Sequence, residues 1–193
     1  MPSRTHVAAI CGSLRDGSYS RPALQHALDS AAANGASVDL IDLRELELPV
    51  FAPDRDEPAD AARLSERVAR ADSVLLGTPV YHGSFSAPLK NALDYCGFDE
   101  FEGTTVGLLC VSGGGFPITS LDHLRSVCRS LDAWVLPHQA ALPRARDLFE
   151  DGELVDESAA ERVSTLGRRA VEYAHIDPEP PCLESTENPG ADD

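Results

Sequence analysis

The chain has 193 residues, 42% of them hydrophobic, which suits one globular domain with a sizeable core. Thirty-two acidic residues face sixteen basic ones, a formal charge of −16, with Lys90 the single lysine beside fifteen arginines. Such a surface repels nucleic acid and anionic membranes within a Debye length of about 10 Å at 0.1 M salt, and no apolar run reaches the roughly 20 residues of a membrane span.

The start, MPSRTHVAAICGS, lacks the apolar segment and cleavage site of a signal peptide and reads as a first strand, so a cytoplasmic location is expected. That strand is His6–Cys11, a nearly continuous apolar run of the kind buried on both faces of a parallel sheet. After the loop GSLRDGSYS, Ala23, Leu24, Ala27, Leu28 and Ala31 recur at helical spacing, and Asn34-Gly35 supplies a stop. Residues 38–43 (VDLIDL) alternate as a second strand, towards an edge. The proline-rich stretch 48–58 (LPVFAPDRDEP) is a long loop. Leu64, Val68 and Ala71 mark a second helix, and residues 73–77 (SVLLG) a third strand.

Beyond the loop TPVYHGSFS, Pro88 opens a helix carrying Leu89, Leu93 and Cys96. Thr105–Val111 is a fourth buried strand, followed by SGGGFP and a helix with Leu121, Leu124, Cys128 and Leu131 aligned. Residues 133–136 (AWVL) make a short last strand, and 157–174 a final helix with Val163, Leu166 and Ala170 inward. Alternating strands and helices imply an α/β fold with helices on both faces of a five-stranded parallel sheet. The doubly wound order 2-1-3-4-5 fits five strands and puts the ligand crevice at their carboxyl ends. The expected organisation is one domain over residues 1–175 and an acidic, disordered tail over 176–193.

Five cysteines form no CxxC pair and no zinc-like cluster with histidine, so no metal site is expected. Cys11, Cys96, Cys110 and Cys128 sit in apolar runs as small hydrophobes, and Cys182 lies in the polar tail. The pairing of high acid with low lysine points to a halophilic host, where salt screens carboxylate repulsion; an ordinary acidic protein encoded by a low-lysine genome is the alternative.

That topology singles out the loops after the first, third and fourth strands. In Gly12-Ser13-Leu14-Arg15-Asp16-Gly17-Ser18-Tyr19-Ser20, backbone N–H groups at a helix start, serine hydroxyls and a guanidinium suit a phosphate monoester. Ser18 stands where a Walker A loop needs lysine, and Leu14 where a dinucleotide fingerprint needs its second glycine. In Thr78-Pro79-Val80-Tyr81-His82-Gly83-Ser84-Phe85-Ser86, planar and polar side chains could pack a flat heteroaromatic ring. No GxSxG elbow surrounds its serines, and Lys90 and Asp94 are spaced to pair across a helical turn. Three consecutive glycines in Ser112-Gly113-Gly114-Gly115-Phe116-Pro117 are costly in backbone entropy unless a ligand approaches closely. One phosphate loop and two ring-binding loops describe a mononucleotide with a large ring system, a shape that FMN has.

As a set, GSLRDGSYS, TPVYHGSFSAPLKNALDY and SGGGFP resemble the NADPH-dependent FMN reductase family, over about residues 6–174. The resemblance implies a flavodoxin-like three-layer sandwich binding FMN, with hydride passing from NADPH or NADH to the flavin and on to a small-molecule electron acceptor such as a quinone, azo dye, free flavin or metal oxyanion. By position, Ser13, Arg15, Ser18 and Ser20 would hold the phosphate, and Pro79, Val80, Tyr81 and His82 would line the ring. Ser112, Gly113, Gly114 and Gly115 would pass along its other side. It also implies a homodimer or homotetramer, with PVYHGSFSAPLKNALDY at the contact. No catalytic acid or base is singled out, because the cofactor carries the chemistry. An FMN electron carrier without nicotinamide turnover is the competing reading.

Overall fold

The computed structural model describes residues 4–176; the acidic tail, with Cys182, lies outside the described residues except for Ile176. The elements run β1 (His6–Cys11), α1 (Ser20–Ala33), β2 (Ser37–Asp42), α2 (Ala59–Ala69), β3 (Ser73–Pro79), α3 (Ala87–Asp94) and the short α4 (Phe98–Phe101). They continue with β4 (Thr105–Val111), α5 (Ile118–Ser130), β5 (Trp134–Leu142), a small hairpin of β6 (Phe149–Glu150) and β7 (Glu153–Leu154), and α6 (Glu157–Glu172). Strands β1 to β5 form one parallel sheet in the order β2-β1-β3-β4-β5.

Strand alternation splits the core into two apolar layers. Val7, Ala9 and Cys11 of β1, Leu75 of β3 and Leu109 of β4 face α1 and α6. Ala8, Ile10, Val74, Leu76 and Leu108 face α2, α3, α4 and α5. Both faces of the central strands are therefore covered, which is why β1 and β4 read as continuous apolar runs. Helices α1 and α6 pack so closely that a Cβ on Gly167 would lie 1.9 Å from the carbonyl oxygen of Ala27.

Several boundaries differ from the sequence expectation. Strand β5 runs to Leu142 instead of ending at residue 136, because Pro137 sits in a register irregularity opposite β4 between Val106 and Leu108. A proline that breaks the pattern is tolerated there because β5 is an edge strand with one row of unpaired backbone groups. Strand β3 continues past Gly77 to Pro79, and Ala71 and Cys96 lie just beyond their helices, buried all the same. Helix α4 and the β6–β7 hairpin are too short to leave a periodic signal, so the pattern of apolar residues does not announce them.

Among the described residues no helix is long and apolar enough to cross a membrane.

Candidate functional site

The carboxyl ends of β1, β3 and β4 bring the three loops together, and a set of specific bonds ties them. Gly12 N donates to Gly77 O at 2.8 Å, and the Ser86 hydroxyl donates to Gly12 O at 2.6 Å. A Cβ at Gly12 would come within 2.7 Å of Leu89 Cβ, so glycine is required where the first loop crosses the start of α3. Thr78 Oγ1 accepts from Ser86 N at 2.9 Å, closing the second loop on itself. Ser86 also caps α3, accepting from Leu89 N. Val80 N donates to Val111 O at 2.9 Å, joining the second loop to the end of β4. The buried Thr78 and Ser86 thus frame the site, although sequence reading gave neither a role. Their signal was local: polar residues flanking a turn, with serine one residue before a helical Ala-Pro.

In the first loop Ser13 is buried, Ser18 half-buried and Arg15 exposed. Ser20 is buried and is already the first residue of α1. The helix starts without a side-chain cap on Tyr19, and Ser18 Oγ accepts only a long bond from Arg21 N, at 3.4 Å. First-turn N–H groups with a guanidinium in the preceding loop, and little intramolecular competition, leave donors that an anion could take up. Arg15 makes no ion pair among the described residues.

In the second loop Tyr81 and Ser84 exchange both backbone hydrogen bonds, at 2.9 and 3.0 Å, around a two-residue turn. Its central residues, His82 and Gly83, have φ of 50° and 79°. Positive φ at both positions defines the primed turn of a tight hairpin, and asparagine, aspartate, glycine and histidine tolerate it best. Backbone geometry thus accounts for the residue type at 82, whose side chain is exposed along with that of Tyr81. Thr119 Oγ1 donates to Gly83 O at 2.7 Å and Ser84 Oγ lies 3.0 Å from His123 Nδ1, pinning the hairpin to α5. Pro79 and Val80 are half-buried below it. Lys90 and Asp94 pair within α3.

The third loop is held at its base. Ser112 Oγ donates to Gly114 O at 2.7 Å, Arg144 N donates to the same oxygen at 3.0 Å, and Ala145 N donates to Ser112 O at 2.9 Å. Gly113, Gly114 and Gly115 each have nothing within 4 Å of a built Cβ, and none has φ in the left-handed region. Neither packing within the protein nor backbone strain calls for glycine here. The strand order puts this open glycine loop, after β4, on the far side of the hairpin loop from the first loop.

A further set of charges adjoins the first loop. Asp42, at the end of β2 and 2% exposed, accepts from Arg44 Nη2 at 2.6 Å and Arg21 Nε at 3.0 Å. Burial works against ionisation of its carboxyl, but the Arg44 and Arg21 hydrogen bonds outweigh it and hold the pKa below the usual carboxylate value. The sequence does not single this group out, because it follows the second strand and lies apart from the loops after the first, third and fourth strands. The sign in the sequence is an aspartate at the end of the alternating second strand, with arginine two residues on. Burial pushes the Cys96, Cys110 and Cys128 thiols up to about 12 and raises that of Cys11, so none supplies a thiolate at neutral pH.

Comparison with known proteins agrees with this geometry. Residues 5–147 match the family model of NADPH-dependent FMN reductases. This chain belongs to that family. It is 36% identical over 138 residues to an FMN-dependent NADPH-azoreductase of Staphylococcus haemolyticus, covering 68% of this chain and 73% of the relative. The corresponding protein of Staphylococcus aureus is 35% identical over the same shares. Among solved structures, the fold is shared with a flavoenzyme NAD(P)H:(acceptor) oxidoreductase from Paracoccus denitrificans, at 22% identity and TM-score 0.74 over 88% of this chain and 97% of that one. It is also shared with an NAD(P)H:quinone oxidoreductase from Methanothermobacter marburgensis, at 18% identity and TM-score 0.63 over 90% of this chain and 100% of that one. The fold is therefore flavodoxin-like, as the strand order anticipates.

Proposed function

We propose that this member of the family binds FMN in the crevice formed by the three loops and works as an NAD(P)H-dependent reductase of small-molecule acceptors such as azo compounds and quinones. The observation that carries the reading is the open glycine loop at residues 113–115, which lies at the same end of the sheet as the uncapped start of α1 and as Arg15, without an ion pair among the described residues. Ser13, Arg15, Ser18 and Ser20 would hold the phosphate, with Arg15 donating charge-assisted hydrogen bonds. Pro79, Val80, Tyr81 and His82 would line one side of the ring system, and Ser112 to Gly115 the other. FMN supplies two-electron chemistry, accepting a hydride from the nicotinamide and passing reducing equivalents to the second substrate.

The protein's part is binding, orientation and exclusion of water. Ser112, locked on Gly114 O, fixes the path of the glycine backbone beside the ring. The hairpin of Tyr81 and His82, pinned to α5, presents an aromatic wall at the mouth. With Phe116 88% exposed three residues before Thr119, which holds the hairpin, that wall suits the stacking of planar acceptors. Purified protein is expected to be yellow, to oxidise NADPH or NADH with a quinone or azo dye, and to be reduced directly by the nicotinamide. A colourless protein that neither binds nor turns over FMN refutes the reading. A flavoprotein reducible by dithionite but inert to both nicotinamides would instead be an electron carrier.

The proposal extends to a cytoplasmic homodimer or homotetramer from a halophilic host. An apolar groove of about 690 Å³, lined by Leu14, Leu46, Val50, Phe85 and Pro88 among others, supports a self-contact involving the second loop and α3. Light scattering during size-exclusion chromatography, across a salt series, tests both the assembly and the salt requirement.

A further inference from the structure

Beside the first loop lies an open cleft of about 920 Å³ whose lining includes Arg15, Ser18, Arg21 and Arg44. Arg44 comes from a different connection, two residues past the end of β2. Its Nε reaches the two carboxylate oxygens of Asp42 at 3.0 and 3.1 Å, its Nη2 reaches one at 2.6 Å, and its backbone N adds another bond at 3.1 Å. One edge of the guanidinium is thereby fixed. The remaining nitrogen, Nη1, lies 3.5 Å from the carboxylate of Asp16, the loop residue next to Arg15. The Asp16 side chain is fully exposed, so this contact is weak and readily exchanged.

We propose that Arg44 is a second guanidinium for the phosphate monoester of FMN, preset by Asp42 and competed for by Asp16. The inference rests on the FMN reading above. Arg44 has already lost its rotamer freedom to Asp42, so its free donor can engage an anion in the loop at little further ordering cost. The cleft is not cationic as a whole, because Asp16, Asp29 and Glu153 also line it and Asp42 lies behind. Attraction for phosphate therefore depends on aimed donors, and Asp16 opposes it both by its charge and by occupying Nη1. Removing Arg44 and removing the Asp16 charge should act in opposite directions.

The test is titration of full-length, flavin-free protein with FMN and with riboflavin, followed by quenching of flavin fluorescence. Arg44→Ala should raise the FMN Kd about tenfold, the scale of a charge-assisted hydrogen bond. Asp16→Asn should lower it about two- to fivefold, the scale of an exposed ion pair. Riboflavin, which lacks the phosphate, should bind both variants as it binds the parent. The FMN affinity of Arg44→Ala should also fall less on adding salt, a readout that does not need measurable riboflavin binding. An equal loss for FMN and riboflavin, or an unchanged salt dependence, makes Arg44 a mere support of the loop. No tightening in Asp16→Asn overturns the competition. A parent protein that binds no FMN defeats the functional reading instead.

Discussion

Gly167 in the middle of α6 and Gly114 in the loop after β4 are the same residue type under opposite constraints. A Cβ on Gly167 would collide with the main chain of α1, whereas one on Gly114 would meet nothing within 4 Å. The first glycine is required by the protein's own packing, which brings two helices together over the sheet. The second has no such requirement inside the chain, and it lies in a loop at the carboxyl end of the sheet. A glycine with no intramolecular reason points to a ligand.

If that contrast is right, Gly167→Ala should produce the largest loss of stability. The backbone of Ala27 cannot yield without separating the helices, and a cost of about 3 kcal/mol is expected in denaturant unfolding of the flavin-free protein. A change under about 1 kcal/mol would mean that the helices separate easily and the contrast fails.

The distinction holds for charged residues as well. Exposed Arg15 has no ion-pair partner among the described residues, so Arg15→Ala should leave folding intact. It should weaken FMN binding by about 1.5–3 kcal/mol, measured as a change in Kd. Unchanged affinity would remove the first loop from the phosphate site.

Buried Asp42 should behave oppositely, with Asp42→Asn costing about 1–2 kcal/mol of folding stability at neutral pH because its arginine partners are partly exposed. Its carboxyl pKa is lowered in the folded state, so the stabilisation is present above the unfolded value of about 3.9 and is lost as pH falls through the folded one. The difference between parent and Asp42→Asn should therefore shrink below about pH 4 in unfolding experiments. A difference that stays constant into acid would assign the cost to packing.

Gly114→Ala sharpens the comparison most, though its effect on stability is the smallest. Alanine restricts the unfolded chain and meets no obstacle in the fold, so the flavin-free protein should be unchanged or more stable by up to about 1 kcal/mol. FMN affinity should fall at the same time. Loss of stability without loss of affinity would show that the loop has a structural need for glycine.

Much of the candidate site was legible from residue types alone. GSLRDGSYS, TPVYHGSFS and SGGGFP stood out because serine, arginine, histidine and runs of glycine interrupt apolar periodicity at the carboxyl ends of strands. Thr78 and Ser86 escaped because their importance is a matter of partners: Ser86 bonds to Gly12, 74 positions away. Arg44 escaped for a related reason, since only the adjacency of β2 and β1 carries it to the first loop.

The succession of strands and helices along the chain and the three donor- and glycine-rich loops follow from local pattern, because a strand covered on both sides must be apolar at every position and a phosphate loop must be rich in donors; the strand order follows from a general rule of doubly wound folds. The close approach of Gly167 to Ala27, the extension of β5 through Pro137 and the Asp42–Arg44–Asp16 chain depend on which elements lie side by side. Those contacts have no periodicity to read, since each is a meeting of residues distant in sequence and is settled only when the layers pack. Gly113–Gly115 needed both kinds of information. Three glycines in a row raised the possibility of a ligand, and the empty space beside them gave it a physical basis.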